Sequence, residues 1–177
     1  KTMSNTALLG LLAETSIHAG AGQMAGVIDL PIQREAHTAW PVVFGSAVKG
    51  ALRTLADEQK APWLIPVFGP ETANASDHAG ALLVSDARLL LLPVRSLTSH
   101  FKWVTCPALL QRFQADANRL GSKDAAFTIP KISDVNSELT PEGAASVFFL
   151  EEFRFAVQST DLSAVITAVA RLMGRED

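Results

Sequence analysis

Pro41-Val42-Val43-Phe44-Gly45-Ser46-Ala47-Val48-Lys49-Gly50-Ala51-Leu52-Arg53 passes from a short apolar run into a helical pattern within one turn of chain. Residues 41–44 are a short apolar run that ends at Gly45-Ser46. Ser46 is a good N-cap, and the spacing predicts a helix over residues 47–59. Val48, Leu52 and Leu55 share one face of it, and Lys49 and Arg53, four apart, share another. Pro62 and Pro66 close the element. An amphipathic helix set among extended segments gives the expectation of mixed α and β structure, and the flanking segments supply those strands.

Upstream, residues 8–17 read as a strand, with Leu9, Leu11, Ala13, Thr15 and Ile17 on one side and Leu8 and Leu12 on the other. Small residues then fill 19–26, a loop whose glycines let backbone lie close to a ligand. Residues 27–35 look extended, interrupted by Pro31. Downstream, 68–80 is rich in turn residues, and 81–94 should supply one or two strands buried on both faces around Leu89 to Leu92. Thr105 is placed to cap a helix that has Pro107 in its first turn, Leu109, Leu110, Phe113 and Leu120 as its stripe and Gly121 as its stop. Residues 122–146 read as an excursion from the core. Residues 147–157 read as a final strand, and Ser159 or Thr160 as the cap of a last helix through Val165, Val169 and Leu172. The order predicts one α+β domain over residues 1–177, an antiparallel sheet with helices on one face, as in ferredoxin-like folds.

The chain has 177 residues, of which 48% are hydrophobic and 19% charged, with a mean hydropathy of +0.21. That is enough for one buried core. A formal net charge of -3 and a pI near 5.8 argue against a free nucleic-acid binder, although a local basic stripe on an acidic body still holds phosphates. One cysteine excludes an intrachain disulfide and a Cys-rich zinc site. The longest apolar stretch, residues 81–92, is broken by Asp86 and Arg88 and stopped by Pro93, too short to span a bilayer. No signal peptide is recognisable, so the cytoplasm is the expected compartment. Lys1 and Thr2 precede Met3, which reads as the natural start.

Two segments carry candidate chemistry. The first has His18 at the end of the predicted strand, then Gly20, Gly22 and Gly26, then Asp29 within Gly26-Val27-Ile28-Asp29-Leu30-Pro31-Ile32-Gln33-Arg34-Glu35. The second is Gly45-Ser46 followed by Lys49 and Arg53, where small residues at a helix start let N–H groups approach an anion. A Walker A loop needs GxxxxGK[ST]; here Lys49 precedes Gly50 and no hydroxyl follows in place, which excludes a P-loop nucleotide hydrolase.

Taken in order, these words resemble a known family. His18-Ala19-Gly20, residues 26–35, residues 45–53, Phe68-Gly69-Pro70, Asp86-Ala87, residues 93–97 and Val104-Thr105-Cys106-Pro107 are similar to the backbone subunit of the type III-B (Cmr) CRISPR effector, in the RAMP superfamily. The similarity covers residues 7–157. Ala21 and Ala47 stand where that family often has serine. Its members also run well beyond position 177, so the chain is expected to be C-terminally incomplete.

The resemblance implies a ferredoxin-like (RRM-like) core and a filament of identical subunits along a guide RNA (crRNA), together with other Cmr-complex subunits. It implies cutting of the paired single-stranded target RNA at regular intervals, with a loop aspartate that maps onto Asp29. The implied chemistry is attack by a ribose 2′-hydroxyl on the adjacent phosphate, aided by a divalent cation, Mg2+ or Mn2+. Asp29 would be base or metal ligand and His18 a proton-transfer or phosphate-positioning group. Lys49, Arg53, Arg34, Gly45, Ser46, Gly20 and Gly22 would line the guide track, which positions the strand without reading its sequence.

Each of these residues also has a plainer reading. Asp29 suits a turn residue ahead of Pro31. His18 suits a hydrogen-bonded structural group, and Lys49 and Arg53 an ordinary solvated face. Trp40 would fill the core or stack on a base, and Cys106 would be a small buried side chain. Arg95 would meet RNA or pair with Asp86. A non-catalytic RNA-binding scaffold of the same kind of complex is therefore the alternative to a ribonuclease.

Overall fold

The computed structural model describes residues 5–22, 30–71, 78–97, 99–122, 126–132, 137–140 and 147–175. The chain divides into two compact units, one of Ala13–Leu89 and one of Lys1–Leu12 with Leu90–Asp177. No helix among the described residues is long and apolar enough to cross a membrane.

In the Ala13–Leu89 unit, residues 19–21 run antiparallel to 31–33, with a bridge between Gly20 and Ile32. The Ala21 N–H donates to Pro31 O at 2.8 Å and the Gln33 N–H to Ala19 O at 2.7 Å. A second hairpin follows, closed by the bridge between Arg34 and Pro41. Its tip is tied by Thr38 Oγ1 donating to the nearly buried Glu35 carboxylate at 2.5 Å, and by the Trp40 N–H donating to Thr38 Oγ1 at 3.1 Å. Strand β1 (Val42–Val43) pairs antiparallel with β2 (Ala87–Arg88), Val42 opposite Arg88. Helix α1 (Gly45–Glu58) leaves β1 after one residue and buries Val48 and Ala56. Helix α2 (Leu64–Phe68) is short, with Pro66 tolerated in its first turn. The Ala81 and Leu82 N–H groups then donate to Pro66 O and Val67 O. Gly80 permits that approach, since a Cβ there would lie 2.3 Å from the Phe68 carbonyl carbon.

In the other unit, β3 (Leu92–Arg95) and β4 (Phe101–Val104) form an antiparallel hairpin, Leu92 opposite Val104. Helix α3 (Pro107–Arg119) begins with Pro107, whose missing N–H costs nothing in a first turn. It buries Leu109, Leu110, Phe113 and Ala117. Strand β7 (Phe153–Ser159) is central to a three-stranded sheet, antiparallel to β6 (Val147–Leu150) and parallel to β5 (Ser137–Thr140). Helix α4 (Ser163–Leu172) buries Val165, Ala168 and Val169. These join Leu110, Phe113, Ala117 and Phe127 in the core, where the Phe113 and Phe127 rings stack 5.9 Å apart. The Arg95 guanidinium pairs with Glu151 at 2.9 Å, and the Glu151 N–H donates to Arg95 O. Arg95 thus finds its acidic partner in Glu151.

Several expectations change. Residues 8–17 form no strand: Leu9, Leu11 and Ile17 are 57–62% exposed. Alternation predicts a strand only where a neighbour supplies the ladder, and here pairing among the described residues starts at Gly20. Leu92, expected inside a doubly buried run, is exposed. The final strand over 147–157 is a hairpin turning at Glu151, which takes φ +51. The cap positions also move. Ser46 lies inside α1, and Thr105 Oγ1 is buried with no partner among the described residues. Neither Ser159 nor Thr160 caps α4, whose N-cap is Leu162, and just ahead of it Asp161 Oδ1 accepts from the Ser163 N–H at 2.9 Å. The antiparallel sheet expected to be single is divided into three small ones among the described residues, and it includes one parallel pair.

Candidate nucleic-acid interface

Pairing of residues 19–21 with 31–33 brings both ends of the intervening loop together. His18 sits at that base and donates from Nε2 to Leu30 O at 2.7 Å. A carbonyl oxygen only accepts, so Nε2 carries a hydrogen in this contact. Leu30 packs against Gly20, where a Cβ would lie 2.9 Å from the leucine Cβ. Gly22 opens the loop at φ +91, in the left-handed region that glycine adopts freely. Asp29 and Gly26 lie outside the described residues.

Gln33 follows on the same strand and is buried, at 8% exposure. Its Nε2 donates to Gly20 O at 2.9 Å, and its Oε1 accepts from the Phe44 N–H at 2.7 Å. Its own carbonyl accepts from the Val42 N–H at 3.1 Å. One side chain therefore links the base of the loop to the entry of α1.

The start of α1 is already occupied. The Gly45 N–H donates to Asp86 Oδ1 at 2.7 Å, and the Ala47 N–H turns back to Phe44 O at 2.9 Å. A carboxylate at a helix N-terminus complements the positive end of the dipole. The anion on this turn is thus the chain's own Asp86, which leaves Ser46 as the exposed polar side chain there. Gly45 is needed for the approach, because a Cβ would lie 2.4 Å from Val84 O.

Lys49 and Arg53 do share a face, half-buried rather than freely solvated. Lys49 Nζ donates to Leu82 O at 2.8 Å and Arg53 Nη1 to Gly69 O at 2.6 Å. The two cations clamp α1 to the paired segments 66–69 and 80–82. Each keeps further N–H groups, since an ammonium has three and a guanidinium five. Arg34 Nη1 donates to Ala39 O at 2.7 Å, on an exposed side chain of the second hairpin.

Among the described residues, no group of three or more His, Cys, Asp or Glu side chains could hold a metal ion. His18, Gly20, Gly22, Arg34, Gly45, Ser46, Lys49 and Arg53 all fall in the Ala13–Leu89 unit. Direct side-chain bonds link His18 to the loop end and Gln33 to the helix start. Sequence reasoning passed over Gln33 and Asp86 as functional residues. Both stood in the quoted words, Asp86 as a partner considered for Arg95, which pairs with Glu151 instead.

The family model described as the RAMP superfamily matches residues 11–166. The chain is 38% identical over 181 residues to the CRISPR system Cmr endoribonuclease Cmr4 of Pyrococcus furiosus, covering 96% of this chain and 59% of that protein. It thus spans about three-fifths of that relative's length. The crystal structure of oligomeric Cmr4 from Pyrococcus furiosus is similar with a TM-score of 0.69 and 32% identity, covering 81% of this chain and 56% of that one. A cryo-EM structure of the type III-B Cmr-beta complex bound to cognate target RNA shares the fold, with a TM-score of 0.55 at 17% identity over 89% of this chain and 65% of that one. The α+β architecture expected from the sequence is thus the one found in solved Cmr4 structures, and the chain belongs to the RAMP superfamily.

Proposed function

We propose that the protein is a repeated backbone subunit of a type III-B CRISPR effector, working in the cytoplasm, which grips guide RNA and cuts the paired target RNA. The observation that carries this is the 38% identity to the Cmr endoribonuclease over nearly the whole chain. The loop base supports it, because His18 is tied by a 2.7 Å bond to Leu30, the residue that follows Asp29 in sequence. Its partners are guide RNA, target RNA, further copies of itself and the other subunits of the complex.

In this reading a ribose 2′-oxygen attacks the adjacent phosphorus, the phosphorus–5′-oxygen bond breaks to leave a 2′,3′-cyclic phosphate, and the released 5′-oxygen takes its proton from water. Asp29 takes the 2′-hydroxyl proton as general base. His18 presents Nδ1 and steadies the loop through Nε2. Lys49, Arg53 and Arg34 hold guide phosphates through the N–H groups their backbone bonds leave over, with the Ser46 hydroxyl and the Gly20–Gly22 backbone beside them. A divalent cation, Mg2+ or Mn2+, belongs to the proposal as a dependence of the reaction, since such ions bind through one or two carboxylates together with substrate phosphates.

The test is target cutting by the full-length protein assembled with guide. Asp29→Ala should abolish cutting while guide binding and assembly persist, and chelation should stop the wild type. Undiminished cutting by the variant would remove Asp29 from the reaction. Cutting that survives chelation would remove the metal.

A further inference from the structure

The β3–β4 hairpin carries two aromatic rings that no core encloses. Phe101 and Trp103 alternate on β4 with Lys102 between them, so the rings stand on one face and the lysine on the other. Both aromatic residues are 49% exposed. Their rings meet at 90° with centroids 5.6 Å apart. Two perpendicular rings make a corner. A flat aromatic group placed there lies face-on to one ring and edge-on to the other, in the arrangements that ring quadrupoles favour.

The register sets Arg95 opposite Phe101 and Pro93 opposite Trp103, on the face of the rings. Glu151 holds the Arg95 guanidinium through Nε at 3.1 Å and Nη2 at 2.9 Å, yet the arginine side chain stays 76% exposed. A guanidinium has five N–H groups, so others remain for a second acceptor. Residues 92–104 include Arg95, His100 and Lys102 and no Asp or Glu, in a chain whose net charge is -3. The centre of a protein–protein contact is depleted of lysine, whereas here a lysine separates the two rings. Rings interleaved with cations suit flat bases joined by phosphates.

We propose that this face of the hairpin is a stacking corner for a base of single-stranded RNA, seated between Phe101 and Trp103, with a flanking phosphate on Arg95. All three residues lie on the strands rather than in the turn. None belongs to the Ala13–Leu89 unit that carries His18, Lys49 and Arg53. The proposal rests on the RNA-gripping reading above and adds to it a contact with bases, where the other side chains meet phosphates. Stacking on a ring tolerates any sequence, because every base has a π-face.

The experiment measures binding of the full-length protein to two labelled probes of equal length, single-stranded oligouridine and the same sugar–phosphate chain without bases. Both carry the same charge, so the ratio of their affinities isolates the contacts to bases. Trp103→Ala should weaken oligouridine binding about 5- to 150-fold and leave both the abasic probe and the salt dependence unchanged. Trp103→Phe, which keeps a ring, should restore most of the loss. Arg95→Gln should instead weaken both probes alike and make the slope of log K against log salt shallower by about 0.7. An affinity ratio in Trp103→Ala equal to that of wild type would overturn the proposal. So would loss of self-association with both probes bound as before, which would make the face a contact between copies of the chain. If Trp103→Ala melts well below wild type, Trp103→Leu, with apolar bulk but no ring, decides on the same ratio. A wild type that binds neither probe ends the RNA-gripping reading and this role with it. A wild type that binds both, with the ratio unmoved in the variant, ends only the stacking corner.

Discussion

Replacing Lys49 and Arg53 together by alanine removes two charged donors from Leu82 O and Gly69 O, bonds of 2.8 and 2.6 Å. A hydrogen bond to a charged group contributes about 1.5–3 kcal/mol. Both side chains are half-buried, so the lower end applies and the pair should be worth about 3 kcal/mol. That is a large share of the roughly 5–15 kcal/mol that keeps a domain folded. In urea the midpoint should fall by about 1 M or more at unchanged slope. The proposed second job of the same cations is read separately, from guide affinity across salt concentrations. Each phosphate that is no longer neutralised should lower the slope of log K against log salt by about 0.7, so the double variant should show a slope shallower by about 1.4. A stability loss below about 1 kcal/mol would refute the clamp, since charged bonds to carbonyls cannot be that weak if they persist in solution. Equal salt slopes would show that neither cation meets the guide, and the track would then be sought at Arg34.

Further outcomes follow from the same geometry. Asp86→Ala should cost about 1 kcal/mol, the usual value of a helix cap, although it lies 41 residues from the N–H it serves. Gly45→Ala should destabilise in a melt even though alanine favours helix by about 1 kcal/mol, because its Cβ would lie 2.4 Å from Val84 O. Phe113→Ala, which empties one half of the stacked pair with Phe127, should cost about 3–5 kcal/mol in denaturant unfolding. Hydrogen bonds from the Ser163 side chain and backbone hold the Asp161 carboxyl below its ordinary value of 3.8. A carboxyl lowered on folding stabilises above its unfolded pKa and loses that contribution as pH falls through the folded one. Stability of the wild type should therefore drop on acidification below 3.8, and Asp161→Asn should flatten that part of the curve. An identical acid limb in both proteins would contradict this.

The amphipathic stripe of α3 was legible in the sequence because helix periodicity is a local property, whereas in α1 Val48 is buried but Leu55, placed on the same stripe, is 51% exposed. Val48, Leu109, Leu110 and Phe113 fall inward where their spacing places them. Pro107 and Gly121 mark the ends of α3 for equally local reasons, a missing N–H at the start and φ +66 at the stop. The order of the motif words is enough by itself to point to the RAMP superfamily. Strand assignments were less secure, because a strand exists only with a partner. The alternating leucines of residues 8–17 have none among the described residues, whereas Phe101-Lys102-Trp103, a much shorter alternation, has one in Leu92–Arg95.

What tertiary structure alone decided are the polar assignments. Ser46 and Thr105 have the chemistry of a cap, yet Asp86 takes the first turn of α1 and Thr105 Oγ1 has no partner among the described residues. Lys49 and Arg53 had the spacing of a solvated face, yet each reaches a distant carbonyl, 33 residues away for Lys49 and 16 for Arg53. Gln33 is one letter of a motif in the sequence and a junction of three segments in the fold. Apolar burial follows from a residue's own character and its period, whereas a hydrogen bond depends on where a second group lies, and over tens of residues only the folded chain fixes that.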